Sequence, residues 1–161
     1  EGIGEKTGML SDIFDLVTFG SSFNVCDRSK ALIETKRILK KDGWFACMWN
    51  YRNLNDSLQN NIENIIKSKI SNYGSRREDQ SNIILESGLF ENIHTFSYEI
   101  THSIATEDFI KGWESHGTVY RQAENVFQNI ISEIRYIVNS MKTDYINVPY
   151  TTKVWMAQVK K

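Results

Sequence analysis

An α/β fold organised on a parallel strand, helix, strand unit is what this sequence predicts, and two observations carry the prediction. Two short apolar runs, Phe14-Asp-Leu-Val-Thr-Phe-Gly and Trp44-Phe-Ala-Cys-Met-Trp-Asn, flank a segment in which Ala31, Leu32, Thr35, Ile38 and Leu39 recur at helical spacing. The connections are tight, since Asp27 stands as an N-cap ahead of the helix and Lys40-Lys41-Asp42-Gly43 closes it. Two strands joined through one helix run parallel with a right-handed crossover. A parallel pair is buried on both faces, which accounts for runs that are continuously apolar rather than alternating.

The later segments extend the unit. Leu58, Ile62, Ile65, Ile66 and Ile70 lie three and four apart and predict a second helix, and Ser81 to Glu86 predicts a short one stopped by Gly88. Phe90 to Ile104 reads as an extended strand, with Ile93, Thr95 and Ser97 on one side, and Thr106-Glu-Asp-Phe-Ile opens another helix. The longest helical pattern runs from Glu124 to Met141, with Phe127, Ile130, Ile131, Ile134, Ile137, Val138 and Met141 on one face. Its polar face is rich in Asn, Gln and Glu rather than Lys, so it packs internally and does not lie on a membrane. Tyr145 to Val159 alternates as a last strand, with the sole proline, Pro149, near its start. There are no repeats or linkers. Residues 1–161 are expected to form a single, incomplete domain with a helical cap at about 105–142.

Composition bounds the function. The chain has 161 residues, 40% hydrophobic and 24% charged, the balance of a soluble globular protein. A net charge of -1 offers no concentrated basic face, so nucleic acid is not expected as a partner. Arg76-Arg77 and Lys40-Lys41 read as solvated surface. No stretch approaches the ~18 consecutive apolar residues that would span a bilayer. Cys26 and Cys47 show no metal spacing and sit in apolar surroundings, so neither a metal site nor a disulfide framework is expected, and a cytoplasmic setting fits.

Taken together, Phe14-Asp-Leu-Val-Thr-Phe-Gly-Ser-Ser-Phe, Ala31-Leu-Ile-Glu-Thr-Lys-Arg-Ile-Leu-Lys-Lys-Asp-Gly-Trp-Phe and Met48-Trp-Asn resemble the fourth strand, the helix after it and the fifth strand of class I S-adenosylmethionine-dependent methyltransferases of the small-molecule type. Gly2-Ile-Gly-Glu-Lys-Thr-Gly-Met-Leu resembles the loop after the third strand, and Tyr150-Thr-Thr-Lys-Val-Trp-Met-Ala the final antiparallel strand. The resemblance implies a partial Rossmann-like sheet, strands four to seven with the last antiparallel, and a helical cap before the last strand. It also implies S-adenosylmethionine as cofactor and a small-molecule acceptor, a carboxylic acid or a hydroxyl compound.

Such enzymes carry a glycine-rich G-x-G-x-G loop and an acidic residue after the second strand, and neither element is found in these residues. The chain begins at Glu1 inside a loop-like run, which reads as a start within a larger fold. The strand at Phe14 to Phe19 would then present an open edge to a missing segment, to a complementing chain, or to a second copy in a homodimer. The alternative to an enzyme is a non-catalytic subunit or fragment that pairs with a partner through this edge.

Methyl transfer from a sulfonium is an in-line displacement that needs positioning and water exclusion more than a dedicated side chain. By resemblance, Ile3, Gly4 and Glu5 lie beside the adenine, and Phe19, Gly20 and Ser21 at the carboxyl end of the strand approach the cofactor, where parallel sheets bind ligands. Close relatives carry His-Trp after the phenylalanine matched by Phe23, whereas this chain has Asn24-Val25. Asn24, Trp113, His116, Tyr120 and Arg121 are the acceptor-binding candidates, joined by Ser115, with His116 the candidate base. Arg121 or Arg52 is the natural clamp for an anionic acceptor, because guanidinium pairs with carboxylate in a fork. His94 is expected at the surface, and His102 lies near the end of the same strand.

Overall fold

The computed structural model describes residues 2–73 and 78–160; Arg76-Arg77 lies outside them. The order of elements is β1 (Phe14–Gly20), α1 (Arg28–Ile38), β2 (Leu39–Arg52), α2 (Ser57–Lys69), α3 (Ser81–Glu86), β3 (Phe90–Ala105), α4 (Thr106–Glu114), α5 (Gly117–Ala123), α6 (Phe127–Ser140) and β4 (Tyr145–Val159). The sheet runs in the order β1-β2-β4-β3. β1 and β2 are parallel, with Val17 beside Phe45 and Phe19 beside Cys47. Thr152 Oγ1 donates to Asn50 Oδ1 (2.7 Å) and Gln158 Nε2 to the Asp42 carbonyl (3.0 Å), so β4 rises in number as β2 falls and the two are antiparallel. The Lys160 N–H bond to the Leu89 carbonyl (2.9 Å) and the Asn92–Gln158 pair (2.9 Å) give β3 and β4 the same relation.

The chain divides into two compact units, Glu1–Tyr51 with Arg77–Tyr98 and Thr152–Lys161, and Arg52–Arg76 with Glu99–Thr151. In the first, α1 buries Ala31, Leu32, Thr35 and Ile38. An aromatic cluster of Phe19, Phe23, Phe45 and Phe90 fills the core, with ring centroids 5.3–5.8 Å apart. Trp49 and Trp155 meet edge to face at 5.7 Å, a geometry that adds roughly 1 kcal/mol to the area they bury. In the second unit, α2, α4 and α6 pack Ile62, Ile66, Phe109, Ile110, Trp113, Ile130, Ile131 and Ile134 against Ile146 and Val148. The Thr106 N–H donates to the Asp144 carbonyl (2.9 Å) and the Thr106 hydroxyl to Thr143 (2.6 Å), joining the entry and exit of the segment that carries α4, α5 and α6.

Two expectations change. The helix stops at Ile38 and β2 starts at Leu39, not Trp44. The predicted stop signal instead forms an irregularity in the strand: from Phe14↔Leu39 to Leu16↔Trp44, two steps along β1 span five along β2. Asp42 takes φ +63° to make this possible, and Leu39 is buried, so burial rather than helical spacing decides its state. β1 is also not buried on both faces. It is an edge strand, and of its seven residues only Phe19 is buried, while Leu16 is half exposed.

Gly43 closes the irregularity in close quarters. A Cβ there would lie 2.9 Å from the Lys40 carbonyl oxygen and 3.2 Å from Leu39 Cδ2. Gly43→Ala is therefore expected to lower unfolding free energy by about 1–3 kcal/mol, the usual cost of overpacking, as read from the urea midpoint at constant slope.

Candidate functional site

The site in the first unit is built on the segment before β1. Ile3 and Lys6 exchange backbone hydrogen bonds (3.0 Å each), closing a tight turn over Gly4. That turn is held by α1. The buried Glu34 carboxylate accepts from the Thr7 N–H (2.8 Å) and hydroxyl (2.6 Å), while Arg37 bonds Glu34 and the Met9 carbonyl (2.8 Å). These donors, Arg37 first and Thr7 next, hold the Glu34 carboxyl down at about 2. Glu5 reaches the other way: its carboxylate accepts the Asp27 N–H (2.7 Å), at the residue that caps α1 through the Lys30 amide.

A groove of about 420 Å³ results, lined by Gly2, Ile3, Gly4, Thr7, Met9, Val17, Thr18, Phe19, Ser22, Thr35 and Ile38. Of the candidates read from sequence, Ile3, Gly4 and Phe19 come together in its wall. Gly20 and Ser21 follow Phe19 at the carboxyl end of β1. A Cβ on Gly20 would meet nothing within 4 Å, and Ser21, at φ +52°, donates its N–H to the Met48 carbonyl (2.9 Å). Glu5 does not face the groove as a free acid, being bonded to Asp27. Gly4 has no room for a side chain, because a Cβ would fall 2.7 Å from Cys26 Sγ and 3.5 Å from the Phe19 ring. Asn24 lies in the short 3-10 turn Phe23–Val25, and its Oδ1 is buried without a hydrogen bond from the described residues.

Both cysteines are free thiols. Burial pushes Cys47 up to about 12 and also raises Cys26, with Glu5 adding to the latter, so neither is an activated nucleophile.

The second unit holds a buried polar cluster. The Arg52 guanidinium lies 4.2 Å from the Trp113 ring centroid, a cation-π contact worth up to ~2 kcal/mol when desolvated. Its Nη2 stands 3.7 Å from Glu63 Oε2, and Glu63 also meets Lys67 at 3.3 Å. Trp113 stacks on His116 with centroids 5.1 Å apart and planes within 14°. Gln59, fully buried one helical turn before Glu63, has no hydrogen bond from the described residues at either amide atom. Thus Arg52, Trp113 and His116 come together as candidates, whereas the Tyr120 side chain is exposed and rests on Phe127 (5.2 Å). Arg121 is exposed and passes Gly117. Ser115 bonds the Gly112 carbonyl (3.2 Å). His94 is exposed beside Trp44, and His102 packs its edge on Tyr150.

His116 caps α5. Its Nδ1 accepts the Val119 N–H (3.3 Å), so the neutral ring carries its proton on Nε2 and offers a donor there. Burial first, then the Arg52 charge, lowers its pKa below 6.5, which keeps the ring neutral at pH 7. Sequence reasoning missed Glu63 and Gln59. The available signal was their placement four apart on the face of α2 that also carries Ile62 and Ile66, where buried polar residues are rare. It missed Glu34 for the same reason, since Glu34 sits on the buried face of α1.

A proposed type II methyltransferase from Anaeromyxobacter dehalogenans matches 98% of this chain and 68% of its own length, with TM-score 0.64 and 13% identity. A proposed methyltransferase from Bacillus halodurans matches 98% of this chain and 69% of its own, at TM-score 0.49 and 18% identity. No family model and no curated protein sequence matches the chain. The chain has the Rossmann-like α/β fold of the first of these, and it spans about two thirds of the length of each.

Among the described residues no group of three or more metal-ligating side chains comes together, and no helix is long and apolar enough to cross a membrane.

The Glu34 anchor has a pH signature. A carboxyl lowered from 4.5 to about 2 contributes stability that is complete above pH 4.5 and is lost as pH falls from there towards 2. Glu34→Gln should be less stable than the parent at pH 7, and the difference between the two urea midpoints should shrink as pH is lowered through that window.

Proposed function

We propose that this chain is part of a S-adenosylmethionine-dependent methyltransferase acting on a small molecule that bears a carboxylate. The observation that carries the reading is the groove at the carboxyl end of β1, on a fold shared with a methyltransferase structure over 98% of the chain. The residues present fit the adenine end of the cofactor. Ile3 and Phe19 supply apolar surface, the turn at Gly4 supplies backbone in place of a side chain, and the open face of Gly20 permits close approach. Bound there, S-adenosylmethionine supplies a sulfonium methyl group for in-line displacement. The glycine-rich loop that grips the remainder in such enzymes is not in these residues.

The chain's own contribution is binding and orientation. Arg52 is the acceptor clamp, its guanidinium 4.2 Å from the Trp113 ring centroid and 3.7 Å from Glu63, and His116 adds an Nε2–H donor. Tyr120 and Arg121, exposed on α5 beyond His116, are further acceptor-binding candidates in the same unit. A hydroxyl acceptor would need a base, and His116 can serve only by giving up the Val119 bond and moving its proton to Nδ1. A carboxylate already carries its charge, so this tautomer favours a carboxylate. The exposed β1 edge, with Ile13 and Leu16 at 40% and 50% exposure, supports a second reading in which a complementing segment or chain pairs along β1, this chain being a non-catalytic subunit.

Calorimetric titration with S-adenosylhomocysteine tests the first reading. Binding is expected, and Gly4→Val should weaken it about tenfold or more, ~1.4 kcal/mol, because the side chain meets Cys26 and the Phe19 ring. Absence of binding, or equal binding by the variant, contradicts the assignment of the groove.

A further inference from the structure

β3 is the other edge of the sheet, and it differs from β1. It is sixteen residues long, and residues 94 to 103 are exposed without interruption, side chains on both faces included. One face carries Phe96 at 54%, Tyr98 at 69% and Ile100 at 37% exposure. His94 continues this row, its ring 6.3 Å from Phe96 and 6.0 Å from Trp44. The strand contains no lysine, arginine or proline, the residues that commonly blunt an edge against pairing. Long, unpaired and apolar on one side, it is a template for another strand.

We propose that the occupant is a second copy of this chain, whose β3 pairs antiparallel with this one about a two-fold axis at Ser97. The argument is self-complementarity. The strand's formal charges are Glu91 and Glu99 alone. Parallel in-register pairing sets each glutamate against its own copy, and an antiparallel register centred on Thr95 sets Glu91 against Glu99; both place like charges opposite, which is unfavourable. Centred on Ser97, Glu99 faces Thr95, Glu91 faces Ser103 and His94 faces Ile100. Phe96 then faces Tyr98 of the other copy, and by symmetry this aromatic pair forms twice on one face of the joined sheet. An axis perpendicular to the sheet keeps every residue on its own face, so no apolar side chain is turned away from its neighbours. The inference is independent of the cofactor assignment.

Sedimentation velocity of the 161-residue chain across concentration tests it, with circular dichroism confirming that each variant keeps the parent fold. The expected result is a reversible dimer whose dissociation constant rises about tenfold or more in Tyr98→Lys and in Ser97→Pro and is unchanged in Leu16→Lys on the β1 edge. Hydrogen exchange on the unmodified chain gives a second readout, with amide protection at 95–99 increasing with concentration. A monomer up to about 1 mM overturns the proposal, as does a dimer that Leu16→Lys dissolves while the β3 variants leave it intact. Protection at 95–99 that does not depend on concentration also overturns it.

Discussion

The buried carboxylate of Glu34 fastens the segment that precedes β1 to helix α1, and the groove exists because of that attachment. Residues 2–12 contain one isolated bridge and no helix or strand of their own, and a tight turn of that kind gains little by itself. Two Thr7 donors and the Arg37 guanidinium converge on one carboxylate, and Arg37 passes on to the Met9 carbonyl. A buried carboxylate costs free energy unless its oxygens are filled, and here each is. The Glu5 bond to Asp27 ties the same segment to the start of α1, so the turn at Ile3 and Gly4 is braced from both ends of one helix. Gly4 then approaches Phe19 with no side chain to separate them.

The second unit uses charge differently. The Arg52 guanidinium lies 4.2 Å from the Trp113 ring centroid, with Glu63 at 3.7 Å, and these neighbours orient it. His116 is committed to capping α5, and the same bond that stabilises the helix start decides which ring nitrogen carries the proton. Burial and the neighbouring cations disfavour a further proton. A neutral imidazole with its proton on Nε2 donates a hydrogen bond at that atom and does not accept a proton there.

Much of the fold was legible because it rests on local patterns. β4 was expected at Tyr145 to Val159 and is found there, since alternation and burial agree along it. The parallel pairing of β1 with β2 followed from apolar runs around a capped helix. Misreadings came where local signals compete with long-range ones. Lys-Lys-Asp-Gly has the composition of a helix stop, yet pairing with β1 and burial of Leu39 draw those residues into the strand, with Asp42 in a left-handed conformation. The candidate site was legible at Ile3, Gly4, Phe19, Arg52, Trp113 and His116. Glu34, Gln59 and Glu63 were not, because spacing places them on apolar helical faces and only tertiary partners explain a polar residue there. The tautomer of His116 depends on one backbone amide three residues on, which composition does not reveal.

The adenine-binding groove we propose is bounded by the Glu34-anchored turn and the end of β1. Intermolecular nuclear Overhauser effects between S-adenosylhomocysteine and the isotopically labelled chain test it most directly. Cross-peaks are expected from the adenine H2 and H8 protons to the side chains of Ile3 and Phe19. Adenine cross-peaks confined to residues outside the groove would contradict it.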